Sequence, residues 1–179
     1  MNLDGLGIAT TTDKSSIFHC YLPLYQKLFG GFREPVVLLE IGIQFGNSIK
    51  VWKEYFPHSL IVGMDSVDNK VEGLDSDRCH LYFRDAYTNE SVALVGNYRP
   101  FNIIIDDGSH AVEHQQFVVR NYSYLLSPNG LLIIEDVPGM DTVPKLVEVL
   151  PEHFFHATVD LRSAQLNTQD SILFLVWRK

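Results

Sequence analysis

The sequence predicts an α/β fold, with a seven-stranded, mainly parallel sheet, helices on both faces and a C-terminal antiparallel hairpin. Three observations carry this reading. Short β-branched runs alternate with amphipathic stretches along the 179 residues, the pattern of parallel strands joined by helical crossovers. Those runs are apolar throughout instead of at every second residue, so both faces of the sheet need cover. The last two runs are separated by a polar stretch too short for a crossover helix, so they should pair antiparallel.

In chain order, residues 15–29 carry a helical stripe (Ile17, Phe18, Tyr21, Leu22, Tyr25, Leu28, Phe29) interrupted by Pro23, which reads as a helix packed across the sheet. VVLLEIGI (36–43) is the central strand. Residues 47–56 follow with apolar positions at Ile49, Trp52, Tyr55 and Phe56, near helical spacing. LIVGMD (60–65), HLYF (80–83), FNIIID (101–106) and LLIIED (131–136) are the second to fifth strands. A helix from Ala111 to Leu126 is stopped by Ser127-Pro128-Asn129-Gly130, a strong turn signal. Thr142 to Leu150 is another helix, with Pro144 tolerated in its first turn. FFHATVDL (154–161) and SILFLVW (171–177) form the hairpin.

Composition narrows the classes. The length suits one domain spanning 1–179, and no repeat or linker divides it. The apolar runs are too short to cross a bilayer, and the N-terminus lacks the pattern of a signal peptide, so a cytoplasmic protein is expected. Two cysteines, Cys20 and Cys79, are too few for a disulfide framework and read as buried thiols. A formal net charge of −8 with scattered basic residues argues against a nucleic-acid substrate. A homo-oligomer stays open.

The first strand ends in Glu40-Ile-Gly42-Ile-Gln-Phe-Gly46-Asn-Ser48. Glycines at a strand-to-helix turn let backbone approach a ligand where a Cβ would collide. Asp65, at the end of the second strand, can accept hydrogen bonds from two ribose hydroxyls. Asp85, past the third strand, is placed to reach an adenine. Gln44 and Asn47 break the glycine pattern that a dinucleotide pyrophosphate prefers, which disfavours an NAD-binding oxidoreductase. A phosphate-free nucleoside cofactor such as S-adenosylmethionine fits better.

The fourth strand runs into Asp106-Asp107-Gly108-Ser109-His110, and the fifth ends in Glu135-Asp136. Ligands in open α/β sheets bind beyond the carboxyl ends of strands, so two acidic pairs should meet there. Unpaired, they would raise one another's pKa. A hard divalent cation such as Mg²⁺ resolves the conflict while keeping positions open for substrate. His110, three residues past Asp107, is the side chain suited to take a proton near neutral pH.

Four blocks then resemble the metal-dependent sugar O-methyltransferases of antibiotic biosynthesis: TDKSSIFHCYLPLYQKLF (12–29), EIGIQFGNSIKVWKEYFP (40–57), FNIIIDDGSHAVEHQ (101–115) and LSPNGLLIIEDV (126–137). The resemblance implies a Rossmann-like class I methyltransferase. It assigns Asp107, Glu135 and Asp136 to Mg²⁺ and His110 as general base. Glu40, Gly42, Gly46, Ser48, Asp65, Asp85 and Asp106 fall at or beside the S-adenosylmethionine site. Thr12, Lys14 and Tyr21 belong to an N-terminal segment, residues 1–30, that caps the cofactor. The chain is shorter than the antibiotic enzymes and without their large N-terminal region, so the chemistry transfers but the acceptor does not. A catechol-type acceptor and a cofactor-binding module without turnover are the alternatives to a sugar or other small-molecule diol.

Overall fold

The computed structural model describes residues 2–33, 35–71, 73–164 and 171–178. One sheet organises it, in the strand order β3-β2-β1-β4-β5-β7-β6. β1 (Val37–Ile41) pairs parallel with both β2 (Leu60–Asp65) and β4 (Phe101–Asp106). β3 (Cys79–Phe83) extends one edge, and β5 (Leu126–Ile134) lies parallel to β4 on the other side. β7 (Ile172–Arg178) runs antiparallel between β5 and β6 (Phe154–Asp160), as the short terminal connection requires. Most of that connection, 165–170, lies outside the described residues.

Strand alternation builds two cores. Leu39, Ile41, Val62, Ile104, Leu132 and Phe174 face α4 (Asn89–Val95), α5 (Val112–Asn121) and α6 (Val143–Glu148). The neighbouring residues Leu38, Ile61, Ile103, Ile133 and Leu173 face α1 (Leu3–Thr10), α2 (Tyr21–Phe29) and α3 (Asn47–Tyr55). Successive strand side chains point to opposite faces. An all-apolar strand is therefore the signature of a sheet covered twice. No helix among the described residues is long and apolar enough to cross a membrane.

The structure departs from the sequence reading at four places. The N-terminal helix begins at Tyr21, because Cys20 takes a left-handed conformation (φ 61°) and residues 11–20 wind as turns. Pro23 then falls in the first turn, where it lacks only an amide that would have no partner. Ser127-Pro128-Asn129-Gly130 does not separate helix from strand; it lies inside β5. Phe101 pairs with Leu126 and Ile103 with Leu131, so the turn residues bulge out of the ladder. α1 and α4 were not anticipated. The first carries two glycines and is capped by the Asn2 side chain; the second, at seven residues, is too short to show periodicity.

Candidate active site

The chain reverses its direction of winding between β1 and β4, and at such a switch point the strand ends leave a crevice. A cleft of about 570 Å³ lies there. One wall is the turn after β1. Gly42 sits at φ 85°, and a Cβ on it would fall 1.8 Å from the Asp107 carbonyl oxygen, so no other residue fits. The amide of Asp107 in turn donates to the Ile41 carbonyl at 2.8 Å. Asp65 is fixed by two backbone amides, Gln44 N–H to Oδ2 (2.8 Å) and Val67 N–H to Oδ1 (2.9 Å). Each carboxylate oxygen keeps lone-pair capacity toward the cleft.

The opposite wall is acidic. Ligand atoms of Asp107, His110 and Asp136 all lie within 4.8 Å of one another. His110 Nε2 is 3.2 Å from Asp107 Oδ1 and 3.5 Å from Asp136 Oδ2. Its hydrogen bond to Asp107 raises the imidazole pKa above the ordinary value, against burial. Three non-glycine residues of these turns hold positive φ: Gln44 at 46°, His110 at 57° and Asp136 at 50°. Backbone conformations of this kind cost energy and collect at functional sites.

Behind this wall lies a second tier of buried charge. The Lys14 ammonium is paired with Asp107, lies 2.7 Å from Glu135 Oε2 and stands 3.6 Å from Glu40 Oε1. Burial alone would lower its pKa, but Asp107, Glu135 and Glu40 outweigh that and raise it well above the usual value. Asp107, which burial would raise, is held below the usual carboxylate range by Lys14 and His110. Burial pushes Glu135 and Asp136 upward. Tyr25 donates to Glu135 Oε1 at 2.7 Å, and Tyr21 donates to Asp136. Burial raises both phenols, so they remain O–H donors. Glu40 accepts from Ser48 (2.7 Å) and Trp52 (2.9 Å), and burial takes it to about 7.

Of the residues singled out from the sequence, Thr12, Lys14, Gly42, Ser48, Asp65, Asp107, His110 and Asp136 line the cleft. Tyr21, Glu40, Gly46, Asp85, Asp106 and Glu135 do not. Tyr21, Glu40 and Glu135 brace the lining residues from behind. Asp106 is buried; its Oδ1 accepts from Tyr87 Oη at 3.3 Å, and burial with Asp107 beside it takes it to about 7. Asp85 accepts from the Tyr87 amide at 2.8 Å, and Gly46 packs near Leu74 and Val71. Sequence reasoning missed Tyr25 and Gln115, whose amide nitrogen donates to the carbonyls of Glu135 (3.0 Å) and Asp136 (3.3 Å). Their only signal was a polar group on the buried face of a helix.

The cluster fits a divalent cation. Two carboxylates and an imidazole converge on the cleft, and the buried His19 Nδ1, 3.8 Å from Asp136, has no hydrogen-bond partner. The two carboxylates supply the hard oxygen ligands that Mg²⁺ takes, and the cleft leaves room for water or substrate beside them.

No family model matches the chain. Among curated proteins it is 36% identical over 76% of its length to the 8-demethyl-8-(2-methoxy-alpha-L-rhamnosyl)-tetracenomycin-C 3'-O-methyltransferase of Streptomyces olivaceus. It is 30% identical over 70% of its length to the mycinamicin VI 2''-O-methyltransferase of Micromonospora griseorubida. The matches cover 37% and 33% of those proteins, so the chain spans about a third of the length of its curated relatives. Among solved structures, the mycinamycin-pathway methyltransferase MycE in complex with Mg and SAH superimposes with a TM-score of 0.70 at 31% identity, over 76% of this chain and 37% of that one. A putative O-methyltransferase from Klebsiella pneumoniae has the same fold, with a TM-score of 0.64 at 16% identity over 90% of this chain and 79% of that one.

Proposed function

We propose that this chain, a homologue of the sugar O-methyltransferases with the class I methyltransferase fold, methylates a hydroxyl of a sugar or other small-molecule diol. The observation that carries the reading is a shared cleft: Asp65 on one wall faces the Asp107–His110–Asp136 cluster on the other. S-adenosylmethionine would supply an electrophilic methyl group, and a divalent cation held by Asp107 and Asp136 would lower the pKa of the acceptor hydroxyl.

The chain's own residues do the rest. Asp65 accepts from the ribose hydroxyls, and Gly42 lets the cofactor lie against backbone. Thr12, Lys14 and His19, from the N-terminal segment, line one side of the cleft, where Thr12 and His19 would cap the cofactor. His110, in its neutral form, takes the acceptor proton. Methyl transfer from the sulfonium to the hydroxyl oxygen would leave a methyl ether and S-adenosylhomocysteine, with the released proton held by His110. Asp107 and Asp136 stabilise the imidazolium. Holding two reactants in line supplies most of the acceleration expected of such a site.

Calorimetry with S-adenosylhomocysteine, followed by methyl transfer to a panel of glycosides and catechols in Mg²⁺ or EDTA, tests this. Binding, and transfer to a glycoside that EDTA abolishes and Mg²⁺ restores, is the expected result. No binding, or full turnover in chelator, refutes it.

A further inference from the structure

The two edges of the sheet are unlike. β3 closes one edge with only five residues, whereas β6 closes the other with seven, Phe154–Asp160. β6 pairs with β7 without a bulge, and no strand among the described residues lies on its outer side. Its sequence, Phe-Phe-His-Ala-Thr-Val-Asp, holds no proline, lysine or arginine. An open edge is a template for another strand, and proteins blunt it with shortness, lysine, proline or a bulge. β6 uses none of these. The direction of its backbone groups follows from the hairpin. The Leu161 amide donates to the Ser171 carbonyl at 2.8 Å, so that pair is hydrogen-bonded. Bonded and non-bonded pairs alternate along an antiparallel ladder. Phe155, Ala157 and Val159 therefore bond toward β7, and the backbone groups of His156, Thr158 and Asp160 point to the open edge.

We propose that β6 is an interface between two copies of this chain, paired antiparallel about a twofold axis at Ala157 so that their sheets join edge to edge. The occupant is a second copy because the segment is complementary to itself. With the axis at Ala157, the whole of β6 overlaps its symmetry mate. His156 faces the partner's Thr158, and both carry outward amides and carbonyls that exchange hydrogen bonds. On one face of the sheet, Phe155 meets the partner's Val159. Phe155 is 49% exposed and already lies 6.1 Å from the Trp177 ring, so the pairing would extend an existing apolar contact. At the ends, Glu152 falls opposite the partner's Arg162. The guanidinium spends Nε and Nη2 on Asp160 and keeps Nη1 for that carboxylate. Moving the axis to His156 would instead set Glu152 against the partner's Asp160, where like charges repel. No residue of 152–162 lines the cleft, so both clefts stay open and the proposal does not depend on the reaction.

Sedimentation velocity of the full chain from about 1 to 100 μM, the range in which a modest interface is half-occupied, tests this. The wild type should sediment as a dimer at the upper end. Thr158→Pro removes one outward amide and no bond to β7, a place on an edge strand where proline is tolerated. It should stay monomeric and still melt cooperatively. Ala157→Cys places two thiols on the axis, at a non-hydrogen-bonded pair with Cα atoms about 4.5 Å apart, which a disulfide can span. Mild oxidation should therefore link two Ala157→Cys chains, and should leave the wild type, with only Cys20 and Cys79, unlinked. A wild type that is monomeric throughout overturns the proposal, as does a folded Thr158→Pro that still dimerises. A dimer that Ala157→Cys does not cross-link overturns it too. Should Thr158→Pro not fold, Glu152→Arg, which sets like charges opposite at both ends, should weaken the dimer about tenfold, and unchanged association then overturns the proposal.

Discussion

The two halves of the sheet follow opposite rules. At the hairpin edge, β6 and β7 pair residue for residue from Phe154–Arg178 to Asp160–Ile172 without a bulge, and β7 buries five consecutive apolar side chains. At the carboxyl ends of β1, β4 and β5, three non-glycine residues sit at positive φ, and Glu40, Asp106, Glu135 and Lys14 are buried with their charges or protons. The first region lowers free energy by ordinary burial. The second costs free energy and is held in place by its surroundings, as expected where geometry is maintained for chemistry.

Substitutions in the two regions should therefore separate stability from turnover. The largest effect is expected at His110: His110→Ala should lower turnover about 100- to 10,000-fold, the usual worth of a general base, with cofactor affinity unchanged by calorimetry. A variant that keeps most of the wild-type rate would leave His110 as a structural residue of its turn. Phe174→Ala, in the regular region, should cost about 3–5 kcal/mol of stability in urea unfolding while the folded fraction keeps its specific activity. If turnover fell with it, the two halves would not be independent.

A third effect concerns pH. Asp106 has a folded pKa of about 7, above its unfolded value, because burial penalises the charge. The folded state binds that proton more tightly, so the contribution to stability is complete below about pH 4 and is lost as pH rises through 7. Thermal melts of the metal-free chain should show this as an apparent loss of about 2–4 kcal/mol across that window. Asp106→Asn should reduce the slope, leaving the part due to Glu40, which burial also takes to about 7; an unchanged slope would assign it to other groups. Asp65→Ala should show the smallest effect, weakening S-adenosylhomocysteine by about tenfold to a hundredfold through lost hydrogen bonds, with stability close to wild type. Unchanged affinity would remove the cofactor from that wall.

The regular half was legible in the sequence because continuous apolar runs and stripes at 3.6-residue spacing report burial directly. All seven strands were found, with ends moved by a few residues. The turn residues 127–130 misled, since the same Ser-Pro-Asn-Gly chemistry that ends a helix also builds a bulge. In the site, Asp107, His110, Asp136 and Asp65 were legible as polar groups at strand ends. The inward turn of Glu135 and Asp106 was not read, although alternation contains it. Neighbouring residues leaving a strand point to opposite sides, so each acidic pair sends one member to the cleft and one to the interior. The partner of the inward member could not be read at all. Lys14 lies 121 residues from Glu135, and only the fold brings them together.

That separation bears on how the protein is made. The N-terminal segment bonds the acidic wall through Lys14 to Asp107, Tyr25 to Glu135 and Tyr21 to Asp136, contacts spanning 93, 110 and 115 residues. Residues 14–25 leave the ribosome before their partners, of which Asp107 follows four strands and Glu135 and Asp136 follow five. Contacts of such high order form slowly, because a long loop must close before they return any stabilisation. The sheet can assemble while its acidic wall is still without its lysine and tyrosines. Completion of the candidate site should thus be a late folding event, governed by the docking of residues 14–25 onto the ends of β4 and β5.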